Sequence, residues 1–202
     1  MEAIDAAAHA ITTGELVVYP TETVYGLGAD ATNPEAVGAV YECKGRDRSN
    51  PLSVAVASRS AVDAVAEPTE RTLAFMSTFL PGPITVVCRA RPSLPAVLTG
   101  GASRVGVRIP AHDLARRLLE RTPPITATSA NESGGPDARS VDELSPAIRE
   151  RVAVVLDGGR TEGTPSTVVD VDRGVIHRRG AAATAVEEWL AEESQSDSTP
   201  SC

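Results

Sequence analysis

Lysine is almost absent from this sequence. Among 202 residues there is one, Lys44, against eighteen arginines. An acidic, lysine-poor surface suits a salty cytoplasm, and GC-rich coding also replaces Lys by Arg, so both readings stay open. Either way, the surroundings of the one retained lysine need inspection. Cysteine is scarce as well. Cys43, Cys88 and Cys202 are odd in number, far apart and without C-x-x-C spacing, which argues against a disulfide framework or a zinc site. Cys88 reads as a buried apolar thiol and Cys202 as the exposed end of a polar tail. No apolar run approaches the roughly 20 residues of a membrane span. The N-terminal MEAIDAAAHA has no basic stretch ahead of an apolar one, so no signal peptide is read and a soluble, cytoplasmic protein is expected. The net charge of −8 argues against a broad basic surface for nucleic acid, although a small basic pocket inside an acidic shell fits it.

What remains is an ordinary globular composition, 42% hydrophobic and 23% charged, at a length suited to one domain with a self-sufficient core. Short runs rich in Val, Ile and Thr predict strands over residues 16–19, 51–57, 84–90, 104–109, 125–129, 152–156, 166–171 and 175–178. Helical patterns cover 4–12, 34–43, 61–66, 70–79, 113–120, 141–144 with 147–149, and 185–191. Asn33 followed by Pro34 is a helix-start signal. Strands interleaved with helices predict an α/β domain on a mixed sheet. The body is assigned to residues 1–191. The Ser-rich segment 192–202 is expected to be disordered.

Chemistry is suggested by polar segments at strand ends. In YPTETVYGLG (19–28), an extended chain puts Thr21, Thr23 and Tyr25 on one side, ahead of two glycines that admit close approach. That arrangement lines a small polar ligand, or else forms a half-buried strand with satisfied hydroxyls. In KGRDRSNPL (44–52), an extended chain points Lys44 and Arg46 the same way. Two adjacent cations repel unless an anion lies between them, and a triphosphate supplies one. The other reading is dipole compensation at a helix end, and Arg48 is expected to face solvent. TATSANESGG (126–135) brings Ser129 and Asn131 to a Gly-rich turn whose N–H groups suit an anion. It is not a P-loop, since no G-K-[ST] follows. Arg108 near the end of an apolar strand needs an anionic partner. His112 fits either a helix start or a site, whereas His9 and His177 read as surface residues. No Ser/His/Asp set, carboxylate pair or metal cluster stands out. The pattern is one of binding groups for an anion and a small polar molecule, without a protein nucleophile.

YPTETVYGLG, KGR with NPL, PGPITVV, VGVRIPAH, TSANESG, PSTVVD and RRGA occur in that order and span roughly residues 3–190. In this the chain resembles the threonylcarbamoyl-AMP synthases of the YrdC-like family, in their single-domain form. The resemblance implies a YrdC-like α/β fold, a twisted mixed sheet flanked by helices around a positively charged cleft. It implies condensation of L-threonine, bicarbonate or CO2, and ATP to threonylcarbamoyl-AMP and pyrophosphate; Mg2+ is expected with the nucleotide, and no fixed protein ligand set for it is identified. That is the first step of N6-threonylcarbamoyladenosine formation in tRNAs reading ANN codons, completed by a separate transferase complex, with at most a weak contact to tRNA itself. By the same resemblance Lys44 and Arg46 are the catalytic cations. Thr23, Arg108 and Ser166 match threonine contacts. Lys44, Arg46, Asn50, Ser129, Asn131 and Arg178 match nucleotide contacts, with Arg179 a competitor for the last role. Many relatives have His where this chain has Ala55. Two other readings are a double-stranded RNA or tRNA binding protein without chemistry, and a paralogous enzyme of the carbamoyl-AMP type.

Overall fold

A computed structural model describes residues 2–196. In chain order its elements are α1 (Glu2–Thr12), β1 (Val17–Tyr19), β2 (Gly26–Gly28), α2 (Pro34–Lys44), β3 (Ser53–Ala55), β4 (Ala66–Glu67), α3 (Glu70–Phe79), β5 (Ile84–Ala90), α4 (Ala96–Thr99), β6 (Arg104–Arg108), α5 (Asp113–Leu119), β7 (Ile125–Ser129), α6 (Pro146–Arg149), β8 (Val154–Val155), β9 (Thr167–Asp170), β10 (Val175–Arg178) and α7 (Ala183–Ser196). Asn33 caps α2 as its sequence predicts, accepting from the amides of Glu35 and Ala36 ahead of Pro34.

The strands form one mixed sheet in the order β10-β9-β5-β6-β3-β7-β2-β1-β8, with β4 beside β5. Pairs β1–β8, β3–β6 and β5–β9 run parallel, and the rest antiparallel. Side chains alternate across the sheet. On β5 and β6, Ile84, Val86, Cys88, Val105 and Val107 enter the larger core, which also holds Val37 and Val40 of α2, Phe75 and Met76 of α3, Leu98 of α4 and Val186 of α7. Thr85, Val87, Arg104, Gly106 and Arg108 turn to the other face. There α1 and α5 cover one end through Ile4, Ile11, Leu118 and Leu119, packed on Tyr19, Ala55 and Ile125. The rest of that face stays open.

Several sequence-based boundaries move. The helix expected over 61–66 is a 3-10 turn over Arg59–Ala64. β2 and α4 were not expected, because Gly26-Leu27-Gly28 has too little side chain to read as a strand. α7 runs to Ser196, five residues into the segment expected to be disordered. Cys202 and the rest of that segment lie outside the described residues. Cys88 is buried, as expected.

Candidate active site

The open half of the sheet forms the floor of a cavity of about 470 Å³. Small residues keep this floor low: Gly26, Ser53, Ala55, Gly106 and Ala127 all line it. A Cβ on Gly106 would lie 2.5 Å from Ser53 Oγ and 2.8 Å from Thr85 Cγ2, so the β3–β6–β5 floor has no room there for a larger residue. Around the floor stand Arg46, Arg104, Arg108, Arg173 and Arg178, opposed by Asp137 and Asp170. Five guanidinium groups and two carboxylates give this cavity the opposite sign to the whole chain.

At one end lies Arg108, 8% exposed. Its Nη2 donates to Glu22 Oε1 (2.9 Å) and to Thr23 Oγ1 (2.8 Å), and Glu22 Oε2 also accepts from the amide of Ala111. Glu22 is therefore the anionic partner that a buried Arg requires. Arg108 Nε is buried without a partner, and the residue lines the cavity. Ser166 stands nearby, its hydroxyl shared with Thr85 (3.1 Å) and receiving Arg178 Nη2 (2.9 Å).

The other end is built where α2 meets the turn after β7. Gly45 caps α2 in the left-handed conformation (φ 57°), and the amides of Gly45 and Arg46 return to the carbonyls of Glu42 and Tyr41. This sharp turn separates Lys44 from Arg46, so the parallel projection expected of an extended K-x-R is not what forms. Lys44 is 3% exposed. Its ammonium donates to the carbonyls of Ser129 and Asn131, and its own carbonyl accepts from the amide of Ser133. Burial, aided by the neighbouring Arg46 charge, pulls its pKa from 10.5 to about 8. Lys44 thus lies behind the cavity wall as the clamp of the 129–133 turn. Arg46 reaches the wall itself, held by the carbonyls of Asn50 (3.0 Å) and Pro51 (3.1 Å).

Arg46, Arg108, Ser129, Ser166 and Arg178 line one cavity. Lys44, Thr23, Asn50 and Asn131 stand one layer back. Thr23 orients Arg108, the Asn50 carbonyl orients Arg46, and the Asn131 side chain bonds the Ser129 hydroxyl and the carbonyls of Glu132 and Gly135. Residues 20–25 are not extended. Thr21 faces the cavity and bonds the amides of Thr23 and Val24, while the Tyr25 hydroxyl donates to the Gly159 carbonyl instead. Arg179 pairs with Glu187, leaving Arg178 as the cavity arginine. Arg48 pairs with Glu42 in solvent. His112 caps the start of α5 without a side-chain cap bond and is not in the cavity wall. His177, read as a surface residue, is exposed at the cavity rim. Sequence reasoning missed Arg104, Asp137, Asp170 and Arg173. The alternation Arg104, Gly106, Arg108 was a readable signal for the first of these.

The profile of the Sua5/YciO/YrdC family, described as "Telomere recombination", matches residues 9–180. The chain belongs to this family. Within it, the chain is 42% identical over 168 residues to the threonylcarbamoyl-AMP synthase of Pyrococcus abyssi, covering 82% of this chain and 49% of that one. It is 40% identical over 167 residues to the enzyme of the same name from Bacillus subtilis, covering 81% and 48%. The chain therefore spans about half the length of these relatives. The structure of P. abyssi Sua5 complexed with L-threonine superposes with a TM-score of 0.84 at 41% identity, over 88% of this chain and 54% of that one. This Sua5/YciO/YrdC chain thus shares the mixed sheet flanked by helices that the resemblance implied, and no helix among its described residues is long and apolar enough to cross a membrane.

Proposed function

We propose that the chain is an L-threonylcarbamoyladenylate synthase, a nucleotidyltransferase that joins L-threonine, CO2 from bicarbonate, and ATP. The observation that carries this reading is the two-ended cavity, with a buried arginine donor at Arg108 and arginines at Arg46 and Arg178 facing it across a floor of small residues. Arg108, positioned by Glu22 and Thr23, takes the threonine carboxylate, and Ser166 borders the same end. Arg46, Arg178 and Ser129 take the nucleotide phosphates. Lys44, Asn50 and Asn131 hold those groups in place.

The threonine amine attacks CO2, forming an N–C bond and releasing a proton to solvent. The resulting carbamate oxygen then attacks the α-phosphorus, and the bond to the β-phosphate oxygen breaks to release pyrophosphate. Both partners in the second step are anions. Holding them face to face is worth about 7–11 kcal/mol in favourable cases. Guanidinium groups aimed at the phosphates stabilise charge as it moves onto pyrophosphate. No covalent enzyme intermediate is needed, in keeping with the lack of a nucleophile–base pair in the sequence. Mg2+ is expected with ATP, where it neutralises phosphate charge. Among the described residues no group of three or more His, Cys, Asp or Glu could cage it. Asp137 is the carboxylate of the wall that no hydrogen bond or ion pair holds among the described residues. Transfer to tRNA is left to a separate transferase complex, and a cytoplasmic location follows from that role.

The test is to incubate the purified chain with ATP, bicarbonate, Mg2+ and each amino acid in turn. Pyrophosphate release dependent on L-threonine, with threonylcarbamoyl-AMP found by mass spectrometry, is expected. Tight tRNA or double-stranded RNA binding without any such turnover would overturn the proposal.

A further inference from the structure

Among the described residues, Asp137 is the cavity carboxylate that no hydrogen bond or ion pair holds; the cations near it act on it only through space. It follows the Gly-rich turn after Asn131 and stands half-buried in the wall. Asp170, the other carboxylate of the cavity, accepts from Arg104 at 2.7 Å and has Arg173 at 3.7 Å. Glu22, behind the wall, is held by Arg108 and the Ala111 amide. Among the described residues, no hydrogen bond or ion pair takes up the Asp137 carboxylate.

Its neighbours are cations that are already engaged. The Lys44 ammonium is satisfied by two carbonyls and the Arg178 guanidinium by Ser166. Asp137 acts on both only through space. Lys44 and Arg178 each fall below their ordinary pKa through desolvation, and in each case the Asp137 charge opposes that fall. It is therefore not a structural ion-pair anchor. It is a negative charge at the end of the cavity where a triphosphate, itself carrying about four negative charges, must enter. Facing a bare triphosphate, this carboxylate can only repel. Facing a triphosphate that carries a divalent cation, it becomes a ligand. Mg2+ suits that role, because it keeps several waters and binds through one or two carboxylates plus substrate phosphates.

We propose that Asp137 is the protein's ligand, directly or through one bound water, for the divalent cation that arrives with the nucleotide. The proposal rests on the assignment of this end of the cavity to ATP. It predicts that the chain discriminates between metal-bound and metal-free nucleotide before any chemistry occurs.

The experiment is calorimetric titration of the full chain with ATP, in the absence of threonine, once with excess MgCl2 and once with EDTA. Asp137→Asn is expected to shrink the affinity advantage of Mg-ATP over metal-free ATP by about tenfold or more, a change typical of losing a partner around a metal. Metal-free ATP should bind Asp137→Asn more tightly than wild type, because the repulsion is gone. Asp137→Glu, which keeps the charge, should retain most of the advantage. In parallel, the enhancement of water-proton relaxation seen when Mn-ATP binds the wild type should weaken in Asp137→Asn. If Asp137→Asn strengthens binding of both forms equally, the carboxylate only repels anions and the proposal falls. If both affinities stay at wild-type values, Asp137 plays no part and it falls too. A folded wild-type chain that binds ATP in neither condition instead defeats the nucleotide assignment itself.

Discussion

Replacing Lys44 with Met separates stability from function. Met keeps the length of the stem and removes the charge. Two opposing terms then act on the fold. The carbonyls of Ser129 and Asn131 lose their donor, and a buried unsatisfied carbonyl costs about 1–3 kcal/mol, so the pair costs about 2–6 kcal/mol. Against this, the ammonium is held in the fold at a pKa near 8 rather than 10.5, a penalty of about 3 kcal/mol at neutral pH that the variant escapes. The terms largely cancel, leaving a net change between about a 1 kcal/mol gain and a 3 kcal/mol loss. The turn carrying Ser129 and Asn131 nevertheless loses its clamp, and with it the geometry of the phosphate end. The variant should thus stay folded in urea titration, while its affinity for Mg-ATP drops about tenfold or more by calorimetry. A Lys44→Met chain that binds Mg-ATP within twofold of wild type would refute the clamp. So would one destabilised by more than about 5 kcal/mol, since the cancellation would then be absent.

Three further outcomes are expected. Arg46→Ala should lose most threonine-dependent pyrophosphate release, and Arg46→Lys should be partly active because it keeps charge but not the fork that grips the carbonyls of Asn50 and Pro51 and, under the proposed function, a phosphate; Arg48→Ala, whose partner Glu42 lies in solvent, should match wild type, and near-normal turnover of Arg46→Ala would remove Arg46 from the site. Binding of Mg-ATP at pH 8 should take up as much as about half a proton, because Lys44 is then half neutral and an anion raises its pKa; uptake should fade toward pH 6.5 and vanish in Lys44→Met, as read from binding enthalpies in buffers of different ionisation heat. The same group makes the free fold relatively more favourable as pH rises from about 8 to 10.5, where the folded chain holds fewer protons at Lys44 than the unfolded one. Asp170→Ala removes the nearer of the two carboxylates on Arg104, leaving Asp172 at 3.5 Å and the Val87 carbonyl, and should destabilise the fold by about 1–3 kcal/mol; no measurable loss in urea titration would show that Asp172 takes over the whole pairing.

Much of this was legible in the chain, and the exceptions have physical reasons. β5, β7 and β10 fall where alternating Val, Ile and Thr put them, because period-two patterning is a local property. β2 escaped notice because two of its three residues are Gly. The lone Lys44 drew attention by its rarity, but the direction of its side chain relative to Arg46 differs from the one expected. The extended-chain geometry assumed for K-G-R ignores Gly45, whose left-handed cap turns Lys44 inward and Arg46 outward. Glu22 sat in plain view within YPTET, yet its pairing with Arg108 joins residues 86 apart and follows only from the fold. Asp137 and Asp170 had no local signal, since what distinguishes them is the sheet face they border. Arg178 lines the cavity and Arg179 pairs with Glu187, a difference that the adjacent arginines of H-R-R-G did not reveal.

The most direct measurement is a crystal structure of the chain with L-threonine and a non-hydrolysable ATP analogue bound together. Arg108 should hold the threonine carboxylate, with Arg46 and Arg178 on the phosphates and the amine turned toward the α-phosphorus across Gly106. Ligands bound away from this sheet face, or phosphates lying at Arg108 with Arg46 turned to solvent, would contradict it.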